Sequence, residues 1–314
     1  MSLDPQIAAL LGPPQPAFEM TDMPVDVLRK YVHDSSTAFP PLEVPLASIA
    51  DREIPGPAGP LACRVYTPVG GGPAPLIAYF HGGGWVVGDL DTQDMICRGL
   101  AHGARAVVLS VDYRLAPEHR FPAAVDDAYA ATCWASKHAP EIGGDAGGLV
   151  VAGDSAGGGL AAAVALRARD EGGPALRAQI IFYASCNHPS EKTASAREFA
   201  DGPILTAAAV DYFWKQYLAD PAVEQHHPWA SPIRAASHRG LPVAFVASAE
   251  LDPTRDDCEA YAAKLESAGV VTELRRYPGA PHGFVSWVGL ADVAQSAIDD
   301  ACAFIAQHTG EVLR

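Results

Sequence analysis

The chain has 314 residues, 49% of them hydrophobic, with 29 glycines and 27 prolines, so it can bury a large core and is not disordered as a whole. Its 37 acidic residues against 22 basic ones leave a formal charge of −15, which argues against binding nucleic acid or anionic lipid. Length alone allows two domains of about 150 residues or one α/β unit with insertions.

The start, Met1-Ser-Leu-Asp-Pro-Gln, carries Asp4 and no basic residue before Arg29, unlike a secretory leader. No run of about 18 apolar residues follows, so no membrane span is expected. Cys63, Cys97, Cys133, Cys186, Cys258 and Cys302 form no C-x-x-C pair. They read as buried small side chains in a cytoplasmic protein.

Residues 1–50 are expected to be partly helical, with Val25, Val27, Leu28 and Tyr31 as a loose stripe before Pro40-Pro41. Residues 61–67 alternate like a strand. Short apolar runs at 76–80, 106–111, 149–152, 178–183 and 243–247 predict strands buried on both faces. Helix-like stretches at 122–138, 156–170 and 254–268 alternate with them. A strand-like segment at 271–277 and a helix at 291–307, with Val293, Ile298, Cys302 and Ile305 on one face, close the chain. This alternation predicts a mainly parallel sheet with helices on both sides. Residues 187–240 interrupt it. They hold no convincing strand but a helix-like piece at 206–218, and read as an insertion lying over the sheet.

Gly153-Asp154-Ser155-Ala156-Gly157 fits G-x-S-x-G between a strand and a helix. That context suits a nucleophile elbow, in which small neighbours allow strand and helix to approach closely. Phe80-His81-Gly82-Gly83-Gly84-Trp85 directly follows a predicted strand. Its glycines let backbone amides converge on the oxygen that becomes negative during acyl transfer. The expected donors are Gly83, Gly84 and Ala156, while His81 anchors the loop. A phosphate-binding loop would need Lys-Ser/Thr after the glycines, where Trp85-Val86-Val87 stands.

Behind such an elbow the acid and then the histidine follow along the chain. His282 lies in a loop after a strand, whereas His308 ends the C-terminal helix, so His282 is the expected base. Of the candidate acids after the strand at 243–247, Glu250, Asp252, Asp256 and Asp257, Asp252 lies just past the strand and is the expected one, with Glu250 or Asp256 the main alternatives. Asp252-Pro253 also reads as a helix start, and one carboxylate oxygen could cap while the other faces His282. Adjacent His226-His227 lack the spacing of a metal site. Trp85 is expected to line a pocket that Phe213 and Trp214 close from above, although such a stripe equally suits packing between cap and body.

Together these residues resemble the bacterial hormone-sensitive-lipase-like esterases (family IV) of the α/β-hydrolase superfamily. The blocks are His81-Gly-Gly-Gly-Trp85, Gly153-Asp-Ser-Ala-Gly-Gly158, Leu251-Asp-Pro253 and Pro281-His-Gly-Phe284. A fifth, Asp112-Tyr-Arg-Leu-Ala-Pro-Glu-His119 with Phe121-Pro-Ala-Ala124, has a mostly structural role there. The resemblance implies an α/β-hydrolase fold with a mostly parallel eight-stranded sheet. It implies a catalytic body of residues 51–186 and 241–314 under a helical cap built from 1–50 and 187–240. It further implies hydrolysis of short- to medium-chain carboxylic esters through a Ser-His-Asp triad and an acyl-enzyme. Neither metal nor organic cofactor is implied. The partner is a small ester, and a homodimer is compatible with the resemblance. One departure is Thr254, where the family usually has Leu. An amidase or deacylase with the same triad is the main alternative. A non-catalytic ligand-binding protein on the same scaffold fits less well, because His282 is present, and a dehydratase would form no acyl-enzyme.

Overall fold

The near-continuous apolar runs form the middle of one sheet. The computed structural model describes residues 2–12, 22–190 and 192–310. Residues 1, 13–21, 191 and 311–314, parts of the segments expected as cap and as the end of the body, lie outside the described residues. The strands are β1 (Leu46–Gly56), β2 (Gly59–Pro68), β3 (Ala74–Phe80), β4 (Val107–Val111), β5 (Gly144–Asp154), β6 (Ala178–Phe182), β7 (Val243–Leu251) and β8 (Thr272–Pro281). They join in the order β1-β2-β4-β3-β5-β6-β7-β8. The β1–β2 and β2–β4 pairs are antiparallel, and the rest of the sheet is parallel.

A central strand must hide both faces, and the sequence supplies apolar residues on each. Leu76, Ala78 and Phe80 of β3 enter one core, with Leu149 and Val151 of β5. Ile77 and Tyr79, with Val150 and Ala152, enter the other. Helices α4 (Ala123–His138), α5 (Ala156–Asp170) and α9 (Arg255–Ser267) cover the first face. Helices α3 (Asp94–Gly103) and α10 (Asp292–Thr309) cover the second. None of the described helices is long and apolar enough to cross a membrane.

Three features depart from the sequence expectations. The first strand, β1, begins inside the stretch assigned to the cap. It is an edge strand whose side chains are mostly exposed or half-buried, so it carries no alternating apolar signal. Helix α3 was not anticipated, although Ile96, Cys97, Leu100 and Ala101 bury its inner face. Strands β7 and β8 run on to Leu251 and Pro281, past the apolar runs, so the acid and the histidine directly follow strand ends.

Between β6 and β7 the described chain is helical where it is regular. It contains α6 (Ala194–Glu198), α7 (Ala207–Tyr217) and α8 (Pro221–Glu224). Near the N-terminus lie α1 (Pro5–Leu11) and α2 (Val25–Ser36). A small third cluster joins Leu28 of α2 and Ala209 and Phe213 of α7 to Val86, Val87 and Ala116 of the body.

The 112–124 block braces this arrangement. Tyr113 stacks on His81 at 4.1 Å between centroids, and its hydroxyl donates to the His81 carbonyl at 2.8 Å. Arg114 donates through Nε to Oδ2 and through a terminal nitrogen to Oδ1 of Asp127, each at 2.8 Å, and the Asp127 side chain is only 2% exposed. Removing the guanidinium would leave a buried carboxylate with no cation and only the Arg114 amide, at 2.9 Å, as donor. Arg114→Met is therefore expected to lower unfolding stability by about 2–4 kcal/mol, measured as a lower urea midpoint at unchanged slope.

Candidate active site

Ser155 follows the last residue of β5, Asp252 the last of β7 and His282 the last of β8, all at the C-terminal edge where open parallel sheets bind ligands. Ser155 Oγ lies 2.8 Å from His282 Nε2. His282 Nδ1 lies 2.8 Å from Asp252 Oδ2. A carboxylate only accepts, so Nδ1 carries the hydrogen and Nε2 is free to accept the serine proton. The structure thus brings all three expected residues into one hydrogen-bonded chain. The Asp252 side chain is fully buried and that of His282 is 10% exposed.

Local backbone chemistry makes the elbow. Ser155 has φ 52° and ψ −121°, a left-handed conformation that costs about 1–3 kcal/mol for a non-glycine residue. The turn brings Gly157 so close to the end of β3 that an added Cβ would collide with the carbonyl oxygens of Phe80 and His81. A Cβ on Gly153 would strike the Gly157 backbone. The glycines of the motif are therefore a steric condition for the serine to stand where it does.

Asp154 ties this elbow to the glycine loop. Its Oδ1 accepts from the Gly82 amide at 2.8 Å and from the Tyr79 hydroxyl at 2.7 Å. Burial pushes its carboxyl up to about 6, against those two donors, which favour the charged form. In the loop itself, Gly83 and Gly84 have φ of 117° and 58°. The Gly83 carbonyl accepts from the Val86 and Val87 amides, each at 3.0 Å, closing a tight turn. Among the described residues, the Gly83, Gly84 and Ala156 amides have no protein acceptor. His81 is fully buried and pushed down to about 4 by that burial, so it is neutral. Its Nδ1 donates to the Gly82 carbonyl at 2.7 Å, an anchoring role.

The alternative acids are engaged elsewhere. Glu250 accepts from the Gly279 amide at 2.8 Å. Asp256 accepts from the Ser195 amide at 2.7 Å. Asp252 Oδ1 accepts from the Thr254 amide at 2.7 Å, so one oxygen holds the turn and the other faces His282. The helix starts two residues later than a Pro253 start would give: Thr254 is its N-cap residue and Arg255 its first.

The three expected pocket aromatics have separate places. Trp85 is buried, stacked on Tyr217 at 4.1 Å and edge-on to Trp214 at 4.7 Å. Trp214 also donates from Nε1 to Ser185 Oγ at 3.2 Å. The Phe213 ring covers Gly84 so closely that a Cβ there would fall on the ring. A recess partly open to solvent lies beside them, with Asn187, His188, Lys192 and Thr254 among its polar walls and Ala207 and Val210 of α7 among its apolar ones, and neither Ser155 nor His282 lines it. None of the three aromatics lines it. His226 meets Arg234 at 3.1 Å, and His227 accepts from the Trp229 amide at 3.1 Å.

Two roles escaped the sequence reading, that of Arg29 and that of Asp257, which stands there only as a candidate acid. Arg29 of α2 donates to the carbonyls of Val86 at 2.8 Å and Ala116 at 2.9 Å, and forks onto Glu118. It fastens α2 to the glycine loop. Asp257 Oδ2 accepts from the Cys186 and Asn187 amides at 2.9 and 3.0 Å, holding the start of the 187–240 insertion. For Asp257 the signal was its place in an acidic first turn of a helix, where a capping role is the ordinary expectation. For Arg29 no local signal existed.

A family model described as alpha/beta hydrolase fold matches residues 77–286. The chain is 45% identical over 258 residues to "Esterase LipI" of Mycobacterium tuberculosis (strain ATCC 25618 / H37Rv), covering 81% of this chain and 80% of that one. It is 39% identical over 320 residues to "Carboxylic ester hydrolase LipN" of the same organism, covering 99% and 84%. It also matches the solved structure of a hyperthermophilic esterase from the archaeon Pyrobaculum calidifontis, at 41% identity and a TM-score of 0.91, over 98% of this chain and 99% of that one.

Asp154 provides a test of the elbow's electrostatics. Its folded carboxyl titrates at about 6, above the ordinary value of about 3.9, so the folded state holds the proton more tightly. Wild-type stability relative to Asp154→Asn should therefore fall as pH rises from about 4 to about 6, by roughly 2–3 kcal/mol, and level off above. Urea titrations of both proteins across that range measure it.

Proposed function

This chain belongs to the α/β-hydrolase fold family, and from that premise we propose that it works as a serine carboxylesterase with Ser155, His282 and Asp252 as its triad. It is a carboxylic ester hydrolase of the hormone-sensitive-lipase-like esterase group. The observation that carries the triad reading is the continuous chain of two 2.8 Å hydrogen bonds from Ser155 Oγ through the imidazole to Asp252.

In this reading Ser155 Oγ attacks the ester carbonyl while His282 Nε2 takes its proton. Asp252 orients the ring and stabilises the imidazolium. The Gly83, Gly84 and Ala156 amides receive the oxyanion, and their freedom from protein acceptors supports that role. The imidazolium returns its proton to the departing alcohol, leaving an acyl-enzyme on Ser155. Water, activated by His282, then attacks the acyl carbon, and Ser155 leaves with the proton. No step requires a metal or an organic cofactor. Residues 187–240, with α2, act as a cap, and the cluster joining Leu28, Phe213 and Val86 supports this. The Phe213 ring over Gly84 puts a cap residue directly beside the oxyanion amides, which supports a part in closing the site. Trp85 and Trp214 act behind it, as packing that holds cap to body.

Ser155→Ala is expected to abolish hydrolysis of a short p-nitrophenyl ester and acylation detected by mass spectrometry, with the circular dichroism spectrum unchanged. Asp252→Asn should cut kcat by about 10⁴, whereas Glu250→Gln should retain most activity. Substantial turnover by a folded Ser155→Ala protein would refute the mechanism.

Short- to medium-chain esters are the substrates this reading assigns, and resemblance to the esterase group supports it. Rates on p-nitrophenyl esters from acetyl to dodecanoyl are expected to peak at short to medium chains. A maximum at dodecanoyl would contradict the short-chain assignment.

A further inference from the structure

We propose that Thr254 is a positioning residue for ester hydrolysis, its hydroxyl holding the Asp252 carboxylate toward His282 and sharing that carboxylate's negative charge. The inference rests on the triad reading given above.

The Asp252 carboxylate is fully buried, and among the described residues no Lys or Arg is a hydrogen-bond partner of it. Three donors hold its charge. Oδ2 receives His282 Nδ1 at 2.8 Å. Oδ1 receives the Thr254 amide at 2.7 Å and the Thr254 hydroxyl at 2.8 Å. Two of the three therefore come from one residue. The same hydroxyl oxygen lies 3.5 Å from His282 Nδ1, beside the imidazole–carboxylate contact. It is also part of the wall of the neighbouring recess.

A donor to a carboxylate disperses its negative charge, and a buried carboxylate has no water to replace a lost donor. Without the hydroxyl, more of the charge would fall on the His282 contact. The acid limb of the rate profile would then move to higher pH. The carboxylate would also lose one of the two bonds that fix its Oδ1, so the ring would be less firmly oriented.

Other charged and titratable groups face this histidine. Asp154 approaches from the elbow, and Asp257 of α9 lies beyond Asp252. Tyr183, at the end of β6, has its ring centroid 5.0 Å from that of His282. None of these is altered by a change at Thr254, so their part in the pH profile is common to every variant compared.

Thr254→Val keeps the shape and the backbone amide but removes the hydroxyl. Thr254→Ser keeps the hydroxyl and removes the methyl. Steady-state rates on one short p-nitrophenyl ester, taken across pH, separate the possibilities. For Thr254→Val, kcat is expected to fall roughly tenfold with KM little changed, and the acid limb of the kcat profile to move up by about half a pH unit or more. For Thr254→Ser, the acid limb should return to the wild-type position. The proposal is overturned if Thr254→Val has the wild-type limb, if its defect lies in KM alone, or if Thr254→Ser is shifted as far as Thr254→Val. Should Thr254→Val fail to fold, the Thr254→Ser limb and that of Thr254→Ala carry the same comparison. Activity surviving in Ser155→Ala would remove the triad reading itself, whereas an inactive Ser155→Ala with an unshifted Thr254→Val removes only this inference.

Discussion

The close approach of the elbow to the end of β3 is the contact on which the rest of the site depends. Gly157 lies where any side chain would strike the Phe80 and His81 carbonyls. That approach sets a strained serine beside a loop of positive-φ glycines and lets Asp154 bond Gly82 directly. The backbone strain at Ser155 is sustained by an apolar sheet on both sides, by the Ser155 amide bonded to the Phe182 carbonyl, and by α5 behind it. Ser155 and the proposed oxyanion donors are thus parts of one continuous backbone arrangement, positioned before any substrate arrives.

A second set of contacts joins that piece to what covers it. Arg29 fastens α2 to the Val86 and Ala116 carbonyls, and Phe213 of α7 seats on Gly84. On the other side, Asp256 and Asp257 hold backbone amides at the start of the insertion. The helix that follows the acid therefore also anchors the chain that roofs the recess. Burial pushes the Asp257 carboxyl up to about 7, opposed by the two amides it accepts from. A shift in the position of α9 would be felt both by Asp252 and by the recess wall, because Thr254 belongs to each.

The central strands were legible because a strand buried on both faces must be apolar almost throughout, as 76–80 and 178–182 are. The first strand was not, since its exposed edge position places no such demand on Leu46–Gly56. Helix α3 packs a short apolar face, Ile96, Cys97, Leu100 and Ala101, onto the sheet, too brief a pattern to stand out. At the site, Ser155, Asp252 and His282 could be named from motif order and from their place after strands. The aromatics were harder. Phe213, Trp214 and Trp85 have the spacing of either a pocket or a packing seam, and side-chain type does not separate the two. In the structure Trp85 and Trp214 pack into the seam, and Phe213 alone lies against the glycine loop.

By itself the sequence determined the strand–helix alternation, the elbow and the order of the proposed nucleophile, acid and base, because each rests on short-range chemistry: apolar runs, glycines that permit close approach, and residues one step beyond a strand. Only the tertiary structure decided which carboxylate meets His282 and what else holds that carboxylate. Glu250, Asp252 and Asp256 lie within seven residues, all acidic and all near one strand end. Their fates differ because the backbone turns through Asp252, sending Glu250 to the Gly279 amide and Asp256 to Ser195, while Asp252 alone is buried against the imidazole with Thr254 at its back. Direction in space, set by long-range packing of β7 against β8 and α9, cannot be read from residues so close together in the chain.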